Sequence, residues 1–553
     1  MDVPVNLVAG VDSSTQSCKV LIADAETGAT VREGRAGHPD GTEVHPDHWW
    51  RALAEAIDDA GGLGDVSAVS IAGQQHGMVL LDRDGVVLRP ALLWNDTRSA
   101  GAAAQLIAEV GAKEYALRTG LVPVASFTAT KVRWVRDHEP EIAAQVAAVA
   151  LPHDWLTWRL RGFGPAASSP LGPDLEQLTT DRSDASGTGY WSPESGAYDL
   201  ELFKLAFGRE AREAREARGD GSPEGPGGIV VLPRVLGPGD TAGQVHPACF
   251  TAQGEEPSGA GPIAGPASGG IAVGPGAGDN AGAALGLDIR PGDIVVSVGT
   301  SGTVFAVTAE PCADATGTVA GFADATGGYL PIAVTLNAAR VLSSMAGLLA
   351  VDFDGLAELA LEAEPGAGGV VLVPYFEGER TPNLPEAKAG LHGLSIASTT
   401  RHNVARAAVE GMLCGLSGGM SALRELGVPA RRLLLIGGAV QNPAVQKIAA
   451  QVFDLPVVIP SPGEYVARGA AVQAAWTLTG KRPQWPMATT STPRPDFRPI
   501  IGVNYQRVSG RIQAGDGGSG SGDAGKVRAP GLSVIDAPVR TRHYGAKGAR
   551  ESP

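Results

Sequence analysis

Residues 273–286 read VGPGAGDNAGAALG. One carboxylate, Asp279, and one amide, Asn280, stand there on backbone that otherwise carries little more than hydrogen and methyl groups. Two chemistries fit such an acid. A lone Asp opening a small-residue helix is a good N-cap. The same Asp in a cleft is a proton acceptor, which phosphoryl transfer to a hydroxyl requires. A helix N-terminus would favour the ionised form that a base needs. The preceding Gly276 and Gly278 would let a substrate come close to the backbone. Two hydroxyl-rich turns form a second set of candidates: Asp12-Ser13-Ser14-Thr15 and Gly299-Thr300-Ser301-Gly302. Small hydroxyl residues on tight backbone offer N–H and O–H donors to phosphate oxygens without a large basic patch. Asp12 adds a carboxylate placed to hold Mg2+ through water. The second turn has no acid, an asymmetry that suits one nucleotide clamped between two half-molecules. The pattern G-x-x-x-x-G-K-[ST] does not occur, which excludes a P-loop. A third set is Gln74, Gln75 and His76 on a glycine-flanked turn, with Asn95 and Asp96 downstream. Short amides and carboxylates read hydroxyls, although a lone histidine on such a turn is also an ordinary structural feature. Gly437 and Gly438 follow an apolar run and precede Asn442; glycines this bare would let a flat base lie on the backbone.

These residues need elements to position them. Apolar runs at 5–11, 18–23, 66–72 and 78–81 predict strands, and 49–59, 131–138 and 154–160 predict helices. Further on, 293–298, 303–307, 370–373 and 432–436 predict strands, while 403–426, 442–453 and 466–478 predict helices. The fold class is α/β with mixed sheets. VAGVDSSTQSCKVLIAD near the start and DIVVSVGTSGTVFAVTA near the middle share one pattern of strand, Gly/Ser/Thr turn and strand. Each half opens with the same hairpin, or two common hairpins coincide. The Arg-Glu-Ala repeat at 208–220 predicts an exposed helix. Residues 219–228 predict a loop, 254–270 a flexible insertion, and the chain from Gly510 onward a disordered tail.

Composition bounds the answer. At 553 residues the chain exceeds one core, so two or more domains are expected. A formal net charge of −15 argues against non-specific nucleic-acid binding. No apolar run reaches membrane-spanning length, the N-terminus lacks a signal peptide's basic region, and Cys18, Cys249, Cys312 and Cys414 have no metal-ligand or redox spacing. A reduced, cytoplasmic, soluble protein is expected.

Longer stretches carry a resemblance. Residues 126–135 (SFTATKVRWV) are similar to the first signature of the FGGY carbohydrate kinases, and 389–394 (AGLHGL) with 403–410 (NVARAAVE) to the second. With both hairpins in order, the chain from about residue 5 to 478 is identified as a member of that family. The resemblance implies two actin-like ATPase (ribonuclease H-like) domains with a cleft between them. It places a sugar domain at 1–287, a nucleotide domain at 288–480 and an extension at 481–553. It implies ATP and Mg2+ as cofactors and a small sugar as substrate, with no nucleic acid or membrane partner, and leaves a homodimer open. It makes Asp279 the catalytic base and Asn280 its sugar-binding neighbour. Residues 71–78 (IAGQQHGM) and 93–98 (LWNDTR) look like the substrate-contact stretches of the family's xylulokinase branch. That likeness gives Gln75 and His76 to the sugar and implies phosphorylation of D-xylulose at its C5 hydroxyl; ribulose, gluconate and glycerol are the alternatives. Ser13, Thr15, Gly299 and Thr300 would hold phosphates, Asp12 the metal, and Gly437, Gly438 and Asn442 the rest of ATP. Two positions depart from the pattern. Gln75 stands where methionine is frequent, and Ala439 replaces a third glycine. Residues 378–382 (GERTP) match a family loop whose expected role is structural, bracing the second domain near the cleft.

Overall fold

The computed structural model describes residues 6–215, 228–250 and 270–516. Its backbone is organised by two large sheets. In the first, the order is Gly243–Gln244, Ala272–Val273, Val66–Gly73, Leu7–Ser13, Ser17–Asp24 and Thr30–Gly37, with Ala277–Gly278 also pairing onto Val66–Gly73. In the second it is Val319–Ala323, Tyr329–Thr335, Gly302–Ala306, Gly292–Val298, Ala430–Ile436, Val457–Pro460 and Thr489–Ser491. Each sheet is built round an antiparallel hairpin whose first strand also pairs, in parallel, with a later strand. The echo in the sequence is therefore a repeated sheet order.

The local reasons are plain. Leu7–Ser13 is buried along its whole length, as a central strand flanked on both sides must be. Helix Pro46–Asp59 buries Trp49, Ala52, Leu53, Ala56 and Ile57, the spacing of one helical face. Helix Tyr465–Thr479 comes from the far end of the chain, yet packs on Leu7–Ser13, on Val66–Gly73 and on helix Asp279–Gly286. Glycines make that fit. A Cβ on Gly469 would lie 1.9 Å from the Gly282 carbonyl oxygen, and one on Gly286 would lie 2.0 Å from that of Tyr465. The small-residue run after Asp279 is thus a helix face pressed on a second helix.

Two expectations are overturned. The Arg-Glu-Ala repeat does not begin as a helix: Ala211–Glu213 is a strand parallel to Val230–Leu232. Burial of Ala211 and the pairing of Arg212 with both carboxylate oxygens of Glu176 outweigh the helical propensity of the repeat. The segment after Gly510 does not begin as a disordered tail either, because helix Pro499–Asp516 continues through it. Part of the repeat, most of the 219–228 loop, the 254–270 insertion short of Gly270, and residues 517–553 lie outside the described residues.

Candidate active site

The two hairpin tips face a cleft that holds two adjoining cavities. The larger, about 580 Å3, is lined by Asp12, Ser14 and Lys19 of the first hairpin, by Gly299 of the second, and by Gly437, Gly438 and Glu464. The smaller, about 300 Å3, is lined by Thr15, Gln75, His76 and Trp94, by Thr300 and Ser301, and by Arg380. Asp279, Asn280 and Gly299 belong to both walls. The acid of the opening stretch therefore stands where the two cavities meet.

Asp279 is the first residue of its helix and not the cap, which is Gly278. Its Oδ1 accepts from the Asn280 backbone N–H at 2.7 Å and from Asn280 Nδ2 at 2.9 Å. The helix terminus does not keep it strongly acidic. Removal from bulk water and the nearby charge of Asp12 push its pKa up to about 7, against those two hydrogen bonds. Asp12 is buried, and burial raises its pKa too, countered by Lys19 and Ser14. Lys19 Nζ lies 3.5 Å from Asp12 Oδ2 and 2.5 Å from Glu464 Oε2. Lys19 was not predicted from sequence. Its position as the seventh residue after Asp12, on the returning strand of the same hairpin, was the available signal.

The glycines before Asp279 do not clear space for a substrate. A Cβ on Gly276 would lie 2.2 Å from His153 Cδ2, and one on Gly278 would lie 2.7 Å from the Gln75 side chain. The vacated volume is filled by protein. His153 belongs to a buried cluster, with Nδ1 2.7 Å from Asp184 Oδ2 and Nε2 3.3 Å from Asp154 Oδ1, and these carboxylates lift its pKa to about 9 despite burial.

His76 sits at φ +68°, in the left-handed region that a side chain adopts at a cost of about 1–3 kcal/mol. Its environment holds it there. Its carbonyl accepts from the buried Lys131 Nζ at 2.7 Å, and its Nδ1–H donates to the Gly187 carbonyl at 2.8 Å. Burial, with Lys131 and Arg380 nearby, lowers its pKa to about 3, so the ring is neutral. Lys131 lies within the stretch identified above as the first signature. Burial drives its own pKa well down.

A segment that sequence reasoning missed, residues 181–188, ties these parts together. Gly278 N–H donates to Ser183 Oγ at 3.0 Å, Gln75 Nε2 donates to the Ser183 carbonyl at 3.3 Å, and Gly187 receives His76. Its residues, DRSDASGT, read as an ordinary polar turn. Nothing local marks contacts made about a hundred positions away.

Other candidates are placed differently from one another. Thr15 Oγ1 accepts from Trp94 Nε1 at 2.8 Å on the cavity wall. Ser13 is buried, and its hydroxyl lines neither cavity. Asn442 caps helix Pro443–Val452 through Ala444 N–H at 2.9 Å and also lines neither cavity. Gln74, Asn95 and Asp96 do not line the smaller cavity: Gln74 is fully buried, Asn95 donates to the Gly41 carbonyl, and Asp96 is taken by Thr42 and Arg98.

Two lobes with repeated sheet order, a cleft between hairpin tips, and one carboxylate shared by two cavities define a phosphotransferase of the actin-like ATPase architecture. The chain belongs to the FGGY family of carbohydrate kinases: residues 7–212 match that family's N-terminal domain and residues 294–478 its C-terminal domain. It is 45% identical over 482 residues to a xylulose kinase of Streptomyces coelicolor, covering 86% of this chain and 89% of that one. The crystal structure of a xylulose kinase from Bifidobacterium adolescentis is 43% identical and superposes with a TM-score of 0.79, covering 91% of this chain and 99% of that one. A Plasmodium falciparum glycerol kinase, solved with ADP, shares the fold at 17% identity and a TM-score of 0.73, covering 94% of this chain and 99% of that one. Family membership implies use of ATP. No helix among the described residues is long and apolar enough to cross a membrane.

Proposed function

We propose that this chain transfers the γ-phosphoryl group of ATP to the C5 hydroxyl of D-xylulose, giving D-xylulose 5-phosphate and ADP. The observation that carries this reading is Asp279 at the junction of the two cavities. Its carboxylate, with a pKa near 7, is matched to taking a hydroxyl proton near neutrality. The smaller cavity holds the ketose, with Gln75, neutral His76 and Asn280 reading its hydroxyls. The larger holds the nucleotide, with Gly437 and Gly438 under the adenosine and Ser14 and Gly299 round the phosphates, while Thr15 and Thr300 face the phosphoryl group from the smaller cavity. Lys19 neutralises charge on the donor side. We assign residues up to 287 to the sugar lobe and 288–480 to the nucleotide lobe, with helix Tyr465–Thr479 crossing back to brace the first sheet.

Asp12 fits a Mg2+ ion. It is a hard oxygen donor on the cavity wall, buried, and partnered only in part by Ser14 and Lys19. Bound there with the nucleotide, Mg2+ would neutralise phosphate charge. The protein's own residues orient the sugar, hold its hydroxyl proton at Asp279 and exclude water as the lobes close. Free thiols at all four cysteines suit a reducing cytoplasm.

A panel of sugars in a coupled ADP-release assay tests the substrate. D-xylulose should give the highest kcat/KM. A clear preference for glycerol, gluconate or L-ribulose would contradict the assignment and leave the kinase chemistry standing.

A further inference from the structure

Loop 378–382, expected only to brace the second lobe, divides its work between two residues. Glu379 does the bracing. Its buried carboxylate accepts from Leu336 N–H at 2.7 Å, from Arg380 N–H at 2.8 Å and from Asn337 Nδ2 at 3.0 Å. Thr381 Oγ1 donates to the Val334 carbonyl at 2.8 Å. The Arg380 side chain takes no part in this. Its guanidinium makes no hydrogen bond, ion pair or ring contact with any described residue, and Arg380 lines the smaller cavity together with Thr300 and Ser301 of the second hairpin tip. Burial disfavours its charge, and no carboxylate offsets that cost.

A half-buried, unpaired guanidinium on a loop fixed by its neighbours is a poor structural element and a good anion receptor. The sugar is uncharged, and its hydroxyls already face neutral donors and acceptors at Gln75, His76 and Asn280. The charge that enters this cavity is the phosphoryl group. On the nucleotide side, Lys19 is the only cation on the wall among the described residues, and it is engaged by Asp12 and Glu464. On the sugar side the only permanent cation on the wall, among the described residues, is Arg380, and it is engaged by nothing.

Resting on the kinase reading above, we propose that Arg380 grips the phosphoryl group as it arrives in the sugar cavity, and afterwards the phosphate of the product. In that step the bond from phosphorus to the nucleotide's bridging oxygen breaks and the bond to the sugar oxygen forms. The hydroxyl proton goes to Asp279, and Arg380 exchanges no proton. Lys19 and Arg380 stand on opposite sides of the junction, one for the group before transfer and one after it.

The test compares wild type with R380Q and R380K. Loop geometry is held by Glu379 and Thr381, and thermal melting checks that the variants fold. Calorimetry should show D-xylulose binding R380Q within about twofold of wild type, while D-xylulose 5-phosphate binds at least tenfold more weakly and R380K recovers part of the loss. Equal binding of the product to R380Q and wild type overturns the proposal. So does an equal loss for sugar and product, which would make Arg380 a sugar contact or a fold residue. Line-broadening of inorganic phosphate in phosphorus NMR reads the site without any sugar. Weaker broadening with R380Q supports Arg380 even if xylulose is not the substrate, and undiminished broadening contradicts it.

Discussion

At the scale of single residues, surroundings set charge. Asp279 and Asp12 are two carboxylates close enough to affect each other, both withdrawn from water, and the result is a base poised near neutrality. Asp279 accepts a proton only when ionised. The profile of kcat/KM against pH should therefore fall on the acid side with an apparent pKa near 7. A profile flat down to pH 5.5 would show that no such group titrates in the free enzyme. His76 is the opposite case: burial, with Lys131 and Arg380 nearby, keeps its ring neutral, and a neutral imidazole suits an uncharged hydroxyl. The types of these residues were legible in the sequence. Their protonation was not, because it depends on neighbours brought from distant segments. The helix terminus does favour ionised Asp279 through the Asn280 N–H, as expected, but burial and the charge of Asp12 outweigh it.

At the scale of elements, helix Asp279–Gly286 is held by contact with helix Tyr465–Thr479, and that contact depends on the absence of side chains. Gly469 faces backbone that cannot give way, with the Gly282 carbonyl oxygen 1.9 Å from where a Cβ would be. G469V should lower stability by about 1–3 kcal/mol or more, read from urea denaturation, and should also reduce kcat by shifting Asp279. Unchanged stability would mean that the helices are not packed as described. Elements with strong local signals were readable: both hairpins, helix Pro46–Asp59 and helix Arg401–Glu425 follow from apolar runs or periodicity. Segments whose roles are long-range were not. The 181–188 turn looks like any polar loop, yet it anchors the Gln75–His76 turn and the strand leading to Asp279. In sequence the glycines at 276 and 278 suggest room for a substrate, but in the fold His153 and Gln75, brought from distant segments, fill that room.

At the scale of the whole molecule, the site exists only because two lobes meet. The smaller cavity takes Gln75 and His76 from one lobe and Arg380 from the other, and the lobes already touch where Gly321 N–H donates to the Gly120 carbonyl at 2.9 Å and Ala323 N–H to Ser186 Oγ at 3.0 Å. On the proposed reading, acceptor and donor lie in separate cavities joined at one carboxylate, an arrangement that favours transfer to the sugar over transfer to water. If that arrangement is right, removing the base should leave both binding sites intact and stop only the reaction. The decisive measurement is on D279N, pairing the affinities for D-xylulose and for ATP with kcat from coupled ADP release. Both affinities should stay within a few-fold of wild type while kcat falls by about 10²–10⁴-fold. A D279N enzyme that phosphorylates xylulose at near wild-type kcat would contradict the central claim.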